Sequence, residues 1–206
     1  MPRKEGEKID RASVSRNRDK LINSIIYFVR RTRHCHTLKL FKLLNFLDFE
    51  HCRQTGFGVT GLQYKAWRDG PAPSEFWHEL DSPGRDLADA VAIQTVRDDV
   101  TGEVRRRDFR PRRAFDSSHF TPRELEIMET LAEFFRDLRA EDMSVFSHAR
   151  ELPWVKIYRG GQGDGHIIPY ELALDSQPVL PTFPSIDREE FEHRRRLFAG
   201  INNPTD

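Results

Sequence analysis

Histidine and cysteine residues lie close together at two places in the N-terminal part of the chain. His34, Cys35 and His36 form one group, and His51 and Cys52 form the other. Imidazole and thiolate are ligands that zinc prefers. However, adjacent residues point in different directions, and neither a C-x-x-C nor an H-x-x-x-H pair occurs. We therefore expect no metal, and we interpret both cysteines as small buried hydrophobic side chains.

Two further motifs contain residue types found in active sites. The glycine-rich stretch 160–165 could cradle a phosphate, but it lacks the Gly-Lys-Ser/Thr ending and no helix signal follows it. Ser147 and His148 offer a nucleophile and a base, yet neighbours on a helix diverge by about 100° and no elbow motif frames the serine. These motifs do not support catalysis, so we expect a protein that is not an enzyme and uses no cofactor.

A basic stretch lies in the middle of the chain and is interrupted by acidic residues. Its arginines are Arg97, Arg105, Arg106, Arg107, Arg110, Arg112 and Arg113. Residues 90–97 and 103–109 have strand patterns on either side of a turn, which predicts a β-hairpin. This hairpin is either a charged edge that resists aggregation or a surface for nucleic acid or an acidic protein.

The element that must organise the domain is a helix predicted over about 37–54. Apolar side chains occupy nearly all of its directions, which is typical of a helix at the centre of a domain. Its polar residues recur at every third position and form one narrow stripe: Lys39, Lys42, Asn45, Asp48 and His51. This stripe is either a solvated seam or a polar groove that meets a ligand or partner.

The remaining pattern is mainly helical. Apolar spacing predicts a first helix over about 18–33, and Thr121-Pro122-Arg123-Glu124 is a capping-box start for another. Further helices are expected at about 74–80, over about 141–151 and after Asp187. The fold class predicted is α+β: a predominantly helical single domain with a small β-hairpin and a central apolar helix.

The same pattern divides the chain into three parts. We expect a disordered N-terminal tail over residues 1–17, because mixed charges and few large apolar side chains occur there. The folded domain is expected over 18–175. Residues 176–206 are interpreted as a proline-containing connector followed by an amphipathic C-terminal helix.

Three segments together resemble the Panacea domain, the antitoxin family that includes SocA. Residues 39–50 are similar to its K-L-x-K-L-L-Y-F-x-D helix, and residues 60–73 to its T-G-x-x-Y-x-A-x-x-x-G-P-x-P turn. Ser147-His148, Trp154 and residues 168–171 are similar to a late T-H-x-x-x-x-W … I-P-Y signature. The resemblance covers about residues 20–175.

This resemblance suggests roles for individual residues. We interpret the motif positions as structural: Thr60, Gly61, Tyr64, Trp67, Gly70, Pro71, Pro73, His148, Trp154, Pro169 and Tyr170. Partner contacts are expected from polar residues beside the motif: Lys42, Asn45, Asp48 and Arg68.

The resemblance implies an antitoxin of a bacterial toxin–antitoxin system, which neutralises a co-encoded toxin by direct protein–protein binding. Two alternatives stay open. One is a proteolytic adaptor that delivers a toxin to an ATP-dependent protease. The other is a nucleic-acid-binding regulator that uses the arginine-rich hairpin.

Overall composition bears on location and partners. The 33 Lys and Arg residues balance the 33 Asp and Glu residues, so the net charge favours neither a nucleic acid nor a membrane surface as partner. The N-terminal residues have no apolar signal region, and the most apolar stretch is too short for a bilayer span. We expect a cytoplasmic protein without a membrane partner.

Overall fold

The computed structural model describes residues 11–149, 152–179 and 185–202. Its helices and strands follow in chain order: α1 Arg11–Arg31, α2 Thr37–Thr55, β1 Tyr64–Trp67, β2 Gly70–Pro73, α3 Ser74–Glu79, α4 Arg85–Ala90, β3 Val91–Arg97, β4 Val104–Pro111, α5 Pro122–Phe134, α6 Ala140–Ala149, α7 Pro153–Tyr158 and α8 Arg188–Asn202. Most described residues are helical, and the strands form two small antiparallel sheets. The predicted fold class is confirmed.

Helix α2 is the centre of the domain, as its sequence predicts. It packs against α1, α5, α6 and β2, and Leu40, Leu43, Leu44 and Leu47 are fully buried. Between Thr37 and Gln54 the side chains are buried on every face of the helix, with Leu38 as the exception. That residue is 43% exposed.

Helix α1 begins at Arg11, earlier than the predicted start near residue 18. The segment 11–17 carries no apolar periodicity, and therefore the sequence pattern does not reveal this part of the helix. Just after this segment, Arg18 pairs with Glu79 and Asp86, which joins α1 to α3 and α4. Residues 1–10 lie outside the described part of the chain.

The predicted hairpin is present as β3 and β4, which pair from Val91↔Pro111 to Arg97↔Val104. Another hairpin comes earlier in the chain, where β1 pairs with β2 from Tyr64↔Pro73 to Trp67↔Gly70. We call β1–β2 the first hairpin. The sequence analysis identifies only a turn there, over residues 60–73. Prolines are tolerated in this two-stranded sheet because β2 is an edge strand.

Helices α4 and α7 are missing from the sequence prediction. Each has six residues, which is too short for helical periodicity to stand out.

The capping box at the start of α5 is confirmed, with the Thr121 and Glu124 side chains each accepting a backbone hydrogen bond from the other residue. No helix in the described ranges is both long and apolar enough to cross a membrane.

The C-terminal helix α8 is held against the end of α2. Asp187 accepts a hydrogen bond from the Glu190 amide at 2.8 Å, which caps the helix as predicted. Phe191 is buried beside Gly56, and Arg194 donates to the Thr55 carbonyl at 3.4 Å. The side chain of Phe198, a further apolar residue of this helix, lies outside the described residues.

Candidate protein-binding site

Asp48 joins the central helix to the segment that follows it. Its side chain is fully buried and accepts hydrogen bonds from the backbone amides of Val59 and Thr60 at 2.7 Å each, and from the hydroxyls of Thr60 and Tyr64. Burial raises the pKa of Asp48, and the four donors act in the opposite direction. Because this carboxylate is occupied inside the protein, we no longer count Asp48 among the partner contacts.

The other members of the polar stripe are also buried, so the stripe is not a solvated seam. The Lys39 ammonium shares its three N–H donors among four carbonyls, those of Arg33, Phe135, Arg136 and Leu138, at 2.6–3.2 Å. Three of these acceptors lie just beyond the C-terminus of α5, and the fourth follows α1. The residue type of a lysine suggests a surface position, so the sequence alone does not reveal that this side chain is buried and bonded to backbone carbonyls.

Asn45 is buried, and its side-chain nitrogen has no hydrogen-bond partner in the described part of the chain. His51 Nδ1 lies 2.7 Å from the Phe57 carbonyl, and burial lowers the pKa of this imidazole. Neither residue lines the cavities described below.

The late family-motif residues close over the first hairpin. Tyr170 donates to the Leu62 carbonyl at 2.8 Å and stacks on Phe49 at 4.7 Å. Trp154 Nε1 donates to the Trp67 carbonyl at 2.8 Å. These contacts support the structural role that we predict for these motif positions.

Three further residues of the family motif, Pro169, Gly61 and His148, lie in different parts of the fold. Pro169 precedes the short 3₁₀ helix Tyr170–Ala173. Gly61 has φ +70°, and a Cβ there would meet the side chain of Asn17. His148 belongs to α6, but its side chain lies outside the described residues.

Three adjoining cavities of about 410, 240 and 570 Å³ surround Leu38. We call this surface the Leu38 groove and define it by the residues that line at least two of the cavities: Leu38, Lys42, Asp69, Gly70, Pro71, Trp77, Ala140 and Glu141. The start of α2, the turn between β1 and β2, α3 and the start of α6 meet there. Two predicted contact residues, Lys42 and Arg68, lie together in the 410 Å³ cavity.

The 570 Å³ end of the groove is lined by basic side chains. His34, Arg105, Arg106 and Arg139 border it and are exposed. Arg106 pairs with Asp108 at 3.0 Å, whereas Arg105 and Arg139 form no ion pair with a side chain that the structure describes. Three arginines face two carboxylates, Asp69 and Glu141, at this end of the groove, and this excess of positive charge is suited to an acidic surface.

Arg107 differs from its neighbours in the arginine-rich strand. It is 1% exposed, pairs with Asp81, and stacks over Trp77 with its guanidinium carbon 4.6 Å from the ring centroid. Cation–π stacking of this kind fixes the orientation of the ring. Arg107 thus holds Trp77 in the groove, and the hairpin is not simply a charged edge.

Lys42 lies in the wall of two of the cavities but is only 3% exposed. Its ammonium donates to the Asp69 carbonyl at 2.9 Å. Burial lowers the pKa of Lys42 to about 8, opposed by the carboxylates of Asp69 and Glu141. A Cβ placed on Gly70, whose φ is +131°, would lie 2.6 Å from Lys42 Nζ, so this glycine permits the approach of the ammonium.

The two cysteines are buried and unpaired, as predicted. Burial raises the pKa of Cys35 to about 11 and that of Cys52 to about 12. Across the described ranges no three His, Cys, Asp or Glu side chains are grouped in a way that could hold a metal ion.

Sequence reasoning missed the exposure of Leu38. Its residue type and its place in an apolar helix both indicate a core position, and no local signal distinguishes it from Leu40 or Leu43. Its exposure follows from tertiary structure, because the neighbouring hairpin and α6 leave a gap above the first turn of α2.

The model of one protein family, described as antitoxin SocA-like, Panacea domain, matches residues 40–155. The match spans more than half of the chain and includes Lys42, Arg68 and the first hairpin. No curated protein and no solved structure shows a significant match. The chain belongs to the SocA-like antitoxin family with a Panacea domain.

Proposed function

We propose that this chain neutralises a co-encoded toxin by direct binding, and that the toxin occupies the Leu38 groove. Membership of the antitoxin family supports the role. The observation that carries the location is the exposure of Leu38, a large apolar side chain on a helix that is otherwise buried. Leu38 adjoins Pro71 and the half-buried Trp77 in one cavity wall, and an apolar patch with a polar rim is a common feature of protein interfaces.

The composition of the groove also favours a protein partner. Leu38, Pro71 and Trp77 form an apolar centre. Charged side chains surround it, with Arg68 at one end and Arg105 and Arg139 at the other. Binding energy in protein complexes concentrates on central aromatic and apolar residues that are enclosed by a polar rim.

A growth-protection assay with the co-encoded toxin tests this proposal. Leu38→Asp should abolish protection, because it places a charge in the apolar centre of the interface. The fold should survive, since a carboxylate in the first turn of α2 interacts favourably with the helix dipole. Circular dichroism and immunoblotting would confirm that the variant is folded and abundant.

Val100→Asp is the matched control. Val100 is 93% exposed at the tip of the β3–β4 hairpin and lines none of the three cavities. This variant should protect cells as well as the parent does. Full protection by Leu38→Asp would place the interface elsewhere, for example on α8.

A further inference from the structure

Lys39 and Lys42 are both buried lysines of α2, but their ammonium groups have different surroundings. Lys39 donates to four carbonyls. Lys42 donates to one, that of Asp69, and has no carboxylate within 4.0 Å among the residues that the structure describes. Two of its three N–H donors therefore have no acceptor among the described residues, and the side chain lines two of the cavities.

A buried ammonium group is costly unless hydrogen bonds and a counter-charge compensate it. The Lys42 ammonium has one carbonyl acceptor, and no described carboxylate lies within 4.0 Å to balance its charge. The open space beside it is the 410 Å³ cavity, whose wall also contains Trp154 and Tyr158. These two rings stack at 4.7 Å and present an apolar surface on which the methylene groups of an entering side chain can pack.

We propose that an Asp or Glu side chain of the toxin enters the 410 Å³ cavity and forms an ion pair with the Lys42 ammonium. This inference rests on the proposed binding of the toxin at the Leu38 groove and adds the chemistry of one contact. A carboxylate supplies the missing acceptors and the missing charge at once. Arg68 also lines this cavity, where it pairs with Asp69 at 3.7 Å and so offsets the negative charge of that carboxylate.

The other groups at this cavity favour a single carboxylate over a nucleic-acid backbone. Facing Lys42 are Arg68 and Asp69 from the β1–β2 turn, Glu141 from α6 and Tyr158 from α7. The carboxylates of Asp69 and Glu141 would repel a run of phosphates, which requires many unopposed cations along its path. A single carboxylate requires only one cation, which Lys42 supplies.

The proposal predicts how toxin binding depends on pH. In the free chain Lys42 loses its proton near pH 8, whereas pairing with a carboxylate stabilises the charged form and raises the pKa of Lys42 in the complex. The affinity should be constant below pH 7. Above pH 8 it should fall by about tenfold per pH unit until the pKa of the complex is reached.

The test uses the full chain and the purified co-encoded toxin. Lysine Nζ NMR would follow the titration of Lys42 in the free chain and in the complex, and calorimetry would give Kd from pH 6.5 to 9.5. In the complex the pKa of Lys42 should rise by at least one unit. Lys42→Met should weaken binding at pH 7 by about tenfold or more and should remove the dependence above pH 8 that the parent shows.

Lys65→Met is the matched control, because Lys65 lies on β1 and lines none of the three cavities. This variant should bind with the parent's affinity and pH profile. A complex that forms with an unchanged pKa of Lys42 and a flat pH profile would overturn the ion pair while leaving toxin neutralisation intact. Failure of the parent to bind the toxin at any pH would overturn the proposed function itself. A rise in the pKa of Lys42 on adding a DNA duplex instead of the toxin would overturn the assignment to a protein carboxylate.

Discussion

The phenolic hydroxyl of Tyr64 donates a 2.7 Å hydrogen bond to the carboxylate of Asp48. Tyr64 lies on β1 and Asp48 on α2, so this contact joins the central helix to the first hairpin. The two most extensive segments of the family resemblance, residues 39–50 and 60–73, therefore meet at a fully buried polar site. From there β1 and β2 extend to the turn that borders the Leu38 groove.

Removing the Asp48 carboxylate should strongly destabilise the fold. Asp48→Ala leaves four buried donors without an acceptor and should lower the free energy of unfolding by about 3–5 kcal/mol. Tyr64→Phe removes only one donor and should cost about 1.5–3 kcal/mol, as expected for a hydrogen bond to a charged group. Urea denaturation measures both variants, and a cost below 1 kcal/mol for Asp48→Ala would contradict this account of the site.

Lys42 should make stability depend on pH. Its pKa is about 8 in the folded chain against 10.5 as the ordinary value. Between these pH values the unfolded chain binds more protons, and the Lys42 contribution to stability therefore rises with pH. Relative to Lys42→Met, the parent should gain about 1 kcal/mol between pH 8 and pH 9.

The comparison with Lys42→Met is needed because the two cysteines change the stability of the fold with pH in the opposite direction. Their pKa values are raised to about 11 and about 12, so ionisation in the unfolded chain lowers stability above pH 9 in parent and variant alike. Urea midpoints at pH 7, 8 and 9 would measure the difference. A constant difference across this range would show that Lys42 does not titrate there.

Gly70 should tolerate substitution less well than a glycine in open space. Gly70→Ala is expected to cost about 3 kcal/mol, because φ +131° strains an L residue and the new Cβ would displace the Lys42 ammonium. Gly102→Ala is the control, since Gly102 has φ +72° and open space around its Cβ position. It should cost about 1 kcal/mol. Equal costs in thermal melts would mean that Lys42 accommodates the methyl group freely.

Local patterns in the sequence predict several elements well. The all-round apolar character of residues 38–49 identifies α2 as central, and alternation around the turn at 98–102 identifies the β3–β4 hairpin. The capping residues Thr121 and Glu124 mark the start of α5. In each case a local physical requirement is visible in consecutive residues.

The candidate site is less predictable because it depends on distant contacts. Asp48 has the residue type of a surface position, yet partners 11 to 16 residues further along the chain bury it. Leu38 has the residue type of a core position, yet it is 43% exposed because the neighbouring elements leave a gap above it. Lys42 and Arg68 are neighbours in one cavity only because the first hairpin folds back onto α2.

Hydrogen exchange of the purified chain with and without the co-encoded toxin tests the central claim most directly. The most informative amides lie at the exposed turn Arg68–Asp69 and at the first turns of α2 and α6, where helix amides have no intrahelical acceptor. Toxin binding at the Leu38 groove should slow exchange at these three places together. Slowing confined to α8, or to the tip of the β3–β4 hairpin at residues 98–102, would contradict the assignment of the groove as the toxin-binding surface.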